Sequence, residues 1–96
     1  MADGATTAGT LHLLYFAWLR ERAGTGSEEV TPPASVGDVT ALVDWLRARG
    51  GGPAQALADL SRVRVAVNQE HVRLDHPVRP DDEVAFFPPV TGGGAA

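Results

Sequence analysis

The sequence predicts an α+β domain in which one mixed sheet packs on one main helix. Three observations predict it. Apolar side chains alternate with period two at Leu11–Leu19, Arg62–Val67 and Glu83–Phe87, which is strand patterning. One stripe at i, i+3, i+4, i+7 (Val39, Leu42, Val43 and Leu46) lies between the first and second of these and marks an amphipathic helix. The length of 96 residues suits one small domain and is too short for two.

The elements follow in order. Residues 1–10 are mostly Ala, Gly and Thr without periodicity and are expected to be a disordered leader. Leu11–Leu19 is expected to be a strand with Leu11, Leu13, Tyr15, Ala17 and Leu19 on one face and His12, Leu14, Phe16 and Trp18 on the other. Arg20–Gly26 reads as a polar turn with glycine punctuation, leading to a weaker strand at Ser27–Thr31 and so to a hairpin. Pro32-Pro33 ends it. Ser35 opens the helix, because Ser35 and Asp38 have the spacing of a capping box. Trp45 flanks the buried stripe, and Arg47 and Arg49 suit the negative end of the helix dipole. Gly50-Gly51-Gly52 stops the helix, and Pro53 opens a short second one with Leu57 and Leu60 facing inward. Arg62–Val67 is a half-buried strand, with Val63, Val65 and Val67 opposite Arg62, Arg64 and Ala66. Asn68-Gln69-Glu70 is a turn, His71–Leu74 a short edge strand, and Asp75–Pro77 and Arg79–Asp82 carry turn chemistry. In the last strand, Glu83–Phe87, Val84 and Phe86 oppose Ala85 and Phe87, and Pro88-Pro89 ends it. The domain is expected over residues 11–90, with a Gly-rich tail over 91–96. This order and size are those of a β-grasp (ubiquitin-like) domain.

Composition excludes several chemistries. Without cysteine there is no disulfide, thiolate metal site or cysteine nucleophile. All eight basic residues are arginine, so there is no Walker A or Schiff-base lysine. A net charge of −4 with no basic stripe argues against a nucleic-acid partner. The longest apolar run is too short to cross a membrane, and residues 1–10 do not resemble a signal peptide, so the expected location is cytoplasmic. His12, His71 and His76 have no metal-ligand spacing, so no metal site is expected. Asp81, Asp82 and Glu83 read as a solvated turn, and Gly50–Gly52 as a helix stop without the lysine of a phosphate loop.

Two features remain. If Tyr15, Val84 and Phe86 face the helix, then Leu14, Phe16, Trp18 and Phe87 share the opposite side of the sheet. Such an apolar patch marks a binding site, with Arg62 and Arg64 as a charged rim. The second feature is Val90-Thr91-Gly92-Gly93-Gly94, a thin chain end suited to threading a narrow channel in another protein, or else a plain linker.

The run from Asp82 to Gly93, Asp-Glu-Val-Ala-Phe-Phe-Pro-Pro-Val-Thr-Gly-Gly, resembles the carboxyl-terminal signature of the molybdopterin synthase small subunits, the MoaD type of sulfur carrier. Val67-Asn68-Gln69, Asp75-His76-Pro77 and Phe16-Ala17 followed by Arg20-Glu21 resemble that family's internal motifs, so the likeness covers residues 11 to 93. The resemblance implies a β-grasp fold and no bound cofactor. It implies an E1-like activating enzyme (MoeB type) that uses ATP to adenylate the carboxylate of Gly93, after which sulfur transfer gives a thiocarboxylate. It also implies a synthase large subunit (MoaE type) into which the tail inserts, where sulfur passes to cyclic pyranopterin monophosphate. Gly92 would give clearance, and Phe16 and Phe87 would match interface positions; with Leu14 and Trp18 of the patch and Pro88, Pro89, Val90 and Thr91 on the way to the tail, they make up the expected partner surface. Catalytic side chains would belong to the large subunit.

One departure from that pattern is Trp18, where a polar residue is commoner. Another is the chain end: the family ends at the second glycine of Thr-Gly-Gly, whereas Gly94-Ala95-Ala96 follow here. Three explanations stand: the residues are trimmed, they are an artefact, or the chain is no longer an active carrier. Trimming or artefact is favoured over loss of function. Other readings are a sulfur carrier for thiamine, cysteine or tRNA thiolation, and a ubiquitin-like modifier or regulatory binding module.

Overall fold

The computed structural model describes residues 9–89. The chain runs β1 (Leu11–Tyr15), α1 (Trp18–Ala23), β2 (Ser27–Val30), α2 (Val39–Arg49), α3 (Gly51–Ala56), a 3-10 turn over Leu60–Arg62, β3 (Arg64–Val67), β4 (Glu70–Val72) and β5 (Glu83–Phe87). The five strands form one mixed sheet in the order β2-β1-β5-β3-β4. β5 lies at its centre, parallel to β1 and antiparallel to β3. This is the α+β architecture that the alternation and the single helical stripe predict.

The core sits between the sheet and α2. Leu11, Leu13 and Tyr15 of β1, Val65 and Val67 of β3, and Val84 and Phe86 of β5 face Val39, Leu42, Val43 and Leu46, and all are buried. Period two supplies one wall and period 3.6 the other. Among the described residues, no polar or charged side chain is fully buried.

The first strand is shorter than expected. The parity assigned to Leu11–Tyr15 holds, but Trp18 is not on a strand: it opens α1. Leu-Arg-Glu-Arg-Ala are good helix formers, Leu19 and Ala23 pack inward one turn apart, and Gly24 closes the helix at φ 81° with its N–H on the Arg20 carbonyl. Leu19 is therefore buried from a helix and not from a strand. The turn into α1 falls on Ala17, at φ 56° and ψ −134°, a conformation that side chains rarely adopt. β1 and β2 do pair antiparallel, with α1 inserted in their connection.

Other boundaries differ too, among them that of β4, which takes in Glu70 from the expected turn and ends at Val72 and not at Leu74. The helix cap is Asp38 and not Ser35: the Asp38 carboxylate accepts the Ala41 N–H at 2.8 Å, and α2 starts at Val39. Only Gly50 separates the two helices, because Gly51 and Gly52 already belong to α3. A Cβ on Gly52 would overlap the Ala23 carbonyl oxygen, so glycine here lets α3 lie directly on α1. Arg62 belongs to the 3-10 turn, and β3 starts at Arg64.

The leader expected over residues 1–10 lies outside the described residues as far as Ala8. Thr10 is tied to the body, its carbonyl accepting the Asp81 N–H at 2.8 Å. No helix among the described residues is long and apolar enough to cross a membrane.

Tyr15 carries a test of the core. Its ring stacks on Phe86 at 5.7 Å, and its hydroxyl donates to Glu28 at 2.8 Å. Burial first, then the Glu28 contact, pushes its pKa well above the ordinary tyrosine value, and Arg49 only partly opposes this. The folded state thus favours the neutral phenol. Its contribution is complete below the unfolded pKa of about 10 and is lost progressively as pH rises above it. Tyr15 is the single tyrosine. Ultraviolet phenolate absorbance is expected to stay flat to about pH 11 and then to rise together with unfolding. A rise with an ordinary midpoint in the folded protein would disprove this environment.

Candidate partner face and tail exit

The sheet's second face carries the candidate site. Across its middle row the register aligns Ser27, Leu14, Ala85, Ala66 and His71. One step toward the end of β5, Phe87 is paired with Arg64, and the Phe16 N–H donates to the Phe86 carbonyl at 3.0 Å. Phe16 is 48% exposed, Leu14 and Phe87 are half-buried, and Ala66 and Ala85 are small enough to be covered by their neighbours. His71 lies against Phe87 with ring centroids 5.1 Å apart. Leu14, Phe16 and Phe87 therefore share a face, as parity predicts.

Trp18 does not join that face, contrary to expectation: from the start of α1 it packs against the core, beside the end of the sheet where β1 stops. It is half-buried at the start of α1, and the guanidiniums of Arg22 and Arg62 lie 5.5 and 5.2 Å from its ring centroid. Arg62 stacks on it from the 3-10 turn and Arg64 stands on β3, so the expected rim is drawn from two elements. His71 and Arg22 were not expected here. The short β4 hid the alignment of His71, and the spacing Trp18-x-x-x-Arg22, one helical turn, is legible only once α1 is recognised.

β5 ends at the sheet centre. Pro88 and Pro89 follow half-buried, between the end of β1 and the start of β3. Proline lacks the N–H that the ladder needs, so the pair ends the strand beside Phe16 and Phe87. Val90, Thr91, Gly92 and Gly93 lie outside the described residues.

The internal motifs turn out to be a brace for β5. Asn68 sits at φ 52° and Gln69 at φ 72°, the left-handed pair of a tight hairpin turn. Asn68 donates to Asp82 at 2.9 Å and accepts the Glu83 N–H at 3.0 Å. The second Asp82 oxygen accepts the Arg79 N–H at 2.8 Å. Val39 N–H donates to the His76 carbonyl, linking the Asp-His-Pro turn to α2. These contacts fix where β5 starts and hence where it delivers Phe87.

The other titratable groups have ordinary duties. His12 faces Glu29 at 3.1 Å on the surface. Asp59 accepts from the Ser61 hydroxyl and N–H, which lowers its pKa, helped by the nearby Arg62 and Arg47. Among the described residues, no three His, Asp or Glu side chains are grouped to hold a metal ion.

Known proteins share this shape and much of this sequence. The "Molybdopterin synthase sulfur carrier subunit" of Escherichia coli (strain K12) is 46% identical over 83 residues, covering 86% of this chain and 99% of that protein. SAMP1 from Haloferax volcanii, a solved structure, superposes with a TM-score of 0.68 at 29% identity, covering 88% of this chain and 100% of that one. Subunits 1 and 2 of the molybdopterin-converting factor from Helicobacter pylori 26695 were solved as a complex. One chain of it matches with a TM-score of 0.58 at 19% identity, over 88% of this chain and 99% of its own, a likeness of fold alone. The ThiS family matches residues 13–93, from the second core position of β1 through the paired glycines, and the chain belongs to that family.

Proposed function

We propose that the protein is a sulfur carrier in molybdenum cofactor biosynthesis, acting as the small subunit of a molybdopterin synthase. One observation carries this reading: the central strand ends at a proline pair beside an open apolar face, so a partner covering Phe16 and Phe87 sits at the root of the tail that holds Gly92 and Gly93. Identity over nearly the whole length of a named sulfur carrier subunit supports the pathway.

The division of labour follows from chemistry. A carboxylate resists nucleophiles, so activation must come first. The Gly93 carboxylate displaces pyrophosphate from ATP and forms an acyl-adenylate on an E1-like enzyme. A donor's sulfur at the sulfide level, or a persulfide whose acyl disulfide product a thiol then reduces, displaces AMP and leaves a thiocarboxylate. In the large subunit the thiocarboxylate sulfur attacks a carbon of cyclic pyranopterin monophosphate and displaces its oxygen, water then cleaves the acyl–sulfur bond and returns the Gly93 carboxylate, and a second such delivery completes the dithiolene. ATP belongs to the activating enzyme; the described side chains fold the domain and form a docking face, and the terminus carries the sulfur. The cytoplasm, where those partners work, is the location this reading implies.

A stable one-to-one complex with the synthase large subunit tests the docking face. Phe87→Asp is expected to weaken it by roughly 30-fold or more, since a buried aromatic anchor contributes about 2 kcal/mol or more. The fold is expected to persist, because Phe87 lies outside the core. Unchanged affinity in calorimetry would remove Phe87 from the interface.

A further inference from the structure

Two guanidiniums converge on one indole where β5 gives out. Arg62 stands just before β3 and Trp18 just after β1, so their 5.2 Å contact spans the end of the strand between them. Arg22 approaches the same ring at 5.5 Å, and exposed Arg64 is in register with Phe87. Among the described residues none of the three has a carboxylate in ion-pair range, and the single arginine–carboxylate pair is Arg49–Glu28. Asp59, the carboxylate that feels Arg62, is occupied by Ser61.

The chain as a whole is acidic, with a net charge of −4. Three cations with no carboxylate partner among the described residues, gathered at the end of the sheet where the apolar face stops, thus make a local field opposite in sign to the net charge. Like charges drawn to one ring repel each other, and an arriving anion relieves that repulsion. Stacking on an indole also holds each planar fork in a narrow range of poses, so less side-chain freedom is lost when a carboxylate docks.

We propose that Trp18, Arg22, Arg62 and Arg64 form a preorganised rim that pairs with carboxylates on the synthase large subunit, in an acidic segment bordering the channel that receives the tail. The proposal rests on the carrier reading and adds the chemistry of the contact. The apolar face supplies affinity; the rim supplies steering and orientation. Trp18 is a positioning residue, holding the two guanidiniums apart from the chain's own carboxylates.

Association with the large subunit, followed by stopped flow across a salt series, tests it. Arg22→Glu with Arg62→Glu is expected to slow association about tenfold or more at low salt and to flatten the salt dependence. Arg79→Glu, at the opposite end of β5, is expected to associate within about twofold of wild type per charge reversed. Trp18→Ala keeps every charge and is expected to reduce the salt dependence partway. Thermal melts confirm that each variant is folded. Wild-type rates and salt dependence in the double variant would overturn the rim while leaving the carrier reading standing. A wild-type chain that forms no complex at any salt would overturn both.

Discussion

Incubated with ATP, an E1-like activating enzyme and a sulfur donor, a form of the chain ending at Gly93 is expected to gain the mass of one sulfur-for-oxygen exchange. A form ending at Gly92 is expected to gain none, and the form ending at Ala96 none until Gly94-Ala95-Ala96 are removed. The effect is all-or-none because the reacting group is the free α-carboxylate of one residue. In the longer form the Gly93 carbonyl belongs to an amide, which has no carboxylate oxygen to attack a phosphate. In the shorter form the carboxylate is displaced by one residue, about 3.5 Å of extended chain. Misplacement of even 1 Å can cost about 100-fold. Intact mass, taken before and after incubation, reads all three forms. Equal thiocarboxylate in the forms ending at Gly93 and Gly92 would refute the role of Gly93. Covalent adducts on other proteins in its own host would favour the modifier reading instead.

Phe86→Ala is expected to cost about 3–5 kcal/mol, a large share of the total stability of so small a domain. The ring is wholly inaccessible, stacks on Tyr15, and is in register with Val65 across the three central strands. Removing it opens a cavity that this rigid row cannot close. At about 4–8 °C per kcal/mol for a domain of this size, the melting temperature is expected to fall by roughly 12–40 °C. Phe87→Ala, one residue along, is expected to shift it far less, because that ring meets His71 on the half-open face. Calorimetric melts of the two variants decide the matter. Equal losses would mean that the two faces of β5 are not distinguished as the register requires.

Much of this molecule was legible in its sequence. Phe86 and Phe87 sort to opposite faces because a strand alternates with period two, and that needs no partner strand to predict. Val39, Leu42, Val43 and Leu46 sort to one face for the same kind of reason. The helix at Trp18–Ala23 was missed because the apolar run continues from the strand through Leu19, and alternation over so short a stretch fits both periods. The reversal rests on one residue, Ala17, in a conformation that its side chain does not advertise. The cap is Asp38 and not Ser35 although both residues have capping chemistry: Ser35 lies in a turn closed by the Val36 N–H on the Pro33 carbonyl, and the Asp38 carboxylate takes the Ala41 N–H.

The sequence by itself determined the fold class, the inward faces of the main strands and the main helix, and the family, because local periodicity and a long terminal motif are carried by neighbouring residues. Only the tertiary structure decided that β5 lies between β1 and β3, that Asn68 and Asp82 brace its start, and that Arg22 and Arg62 meet on Trp18. These last are contacts between residues far apart in the chain, made by sheet order and register, and no local pattern encodes which distant strands become neighbours.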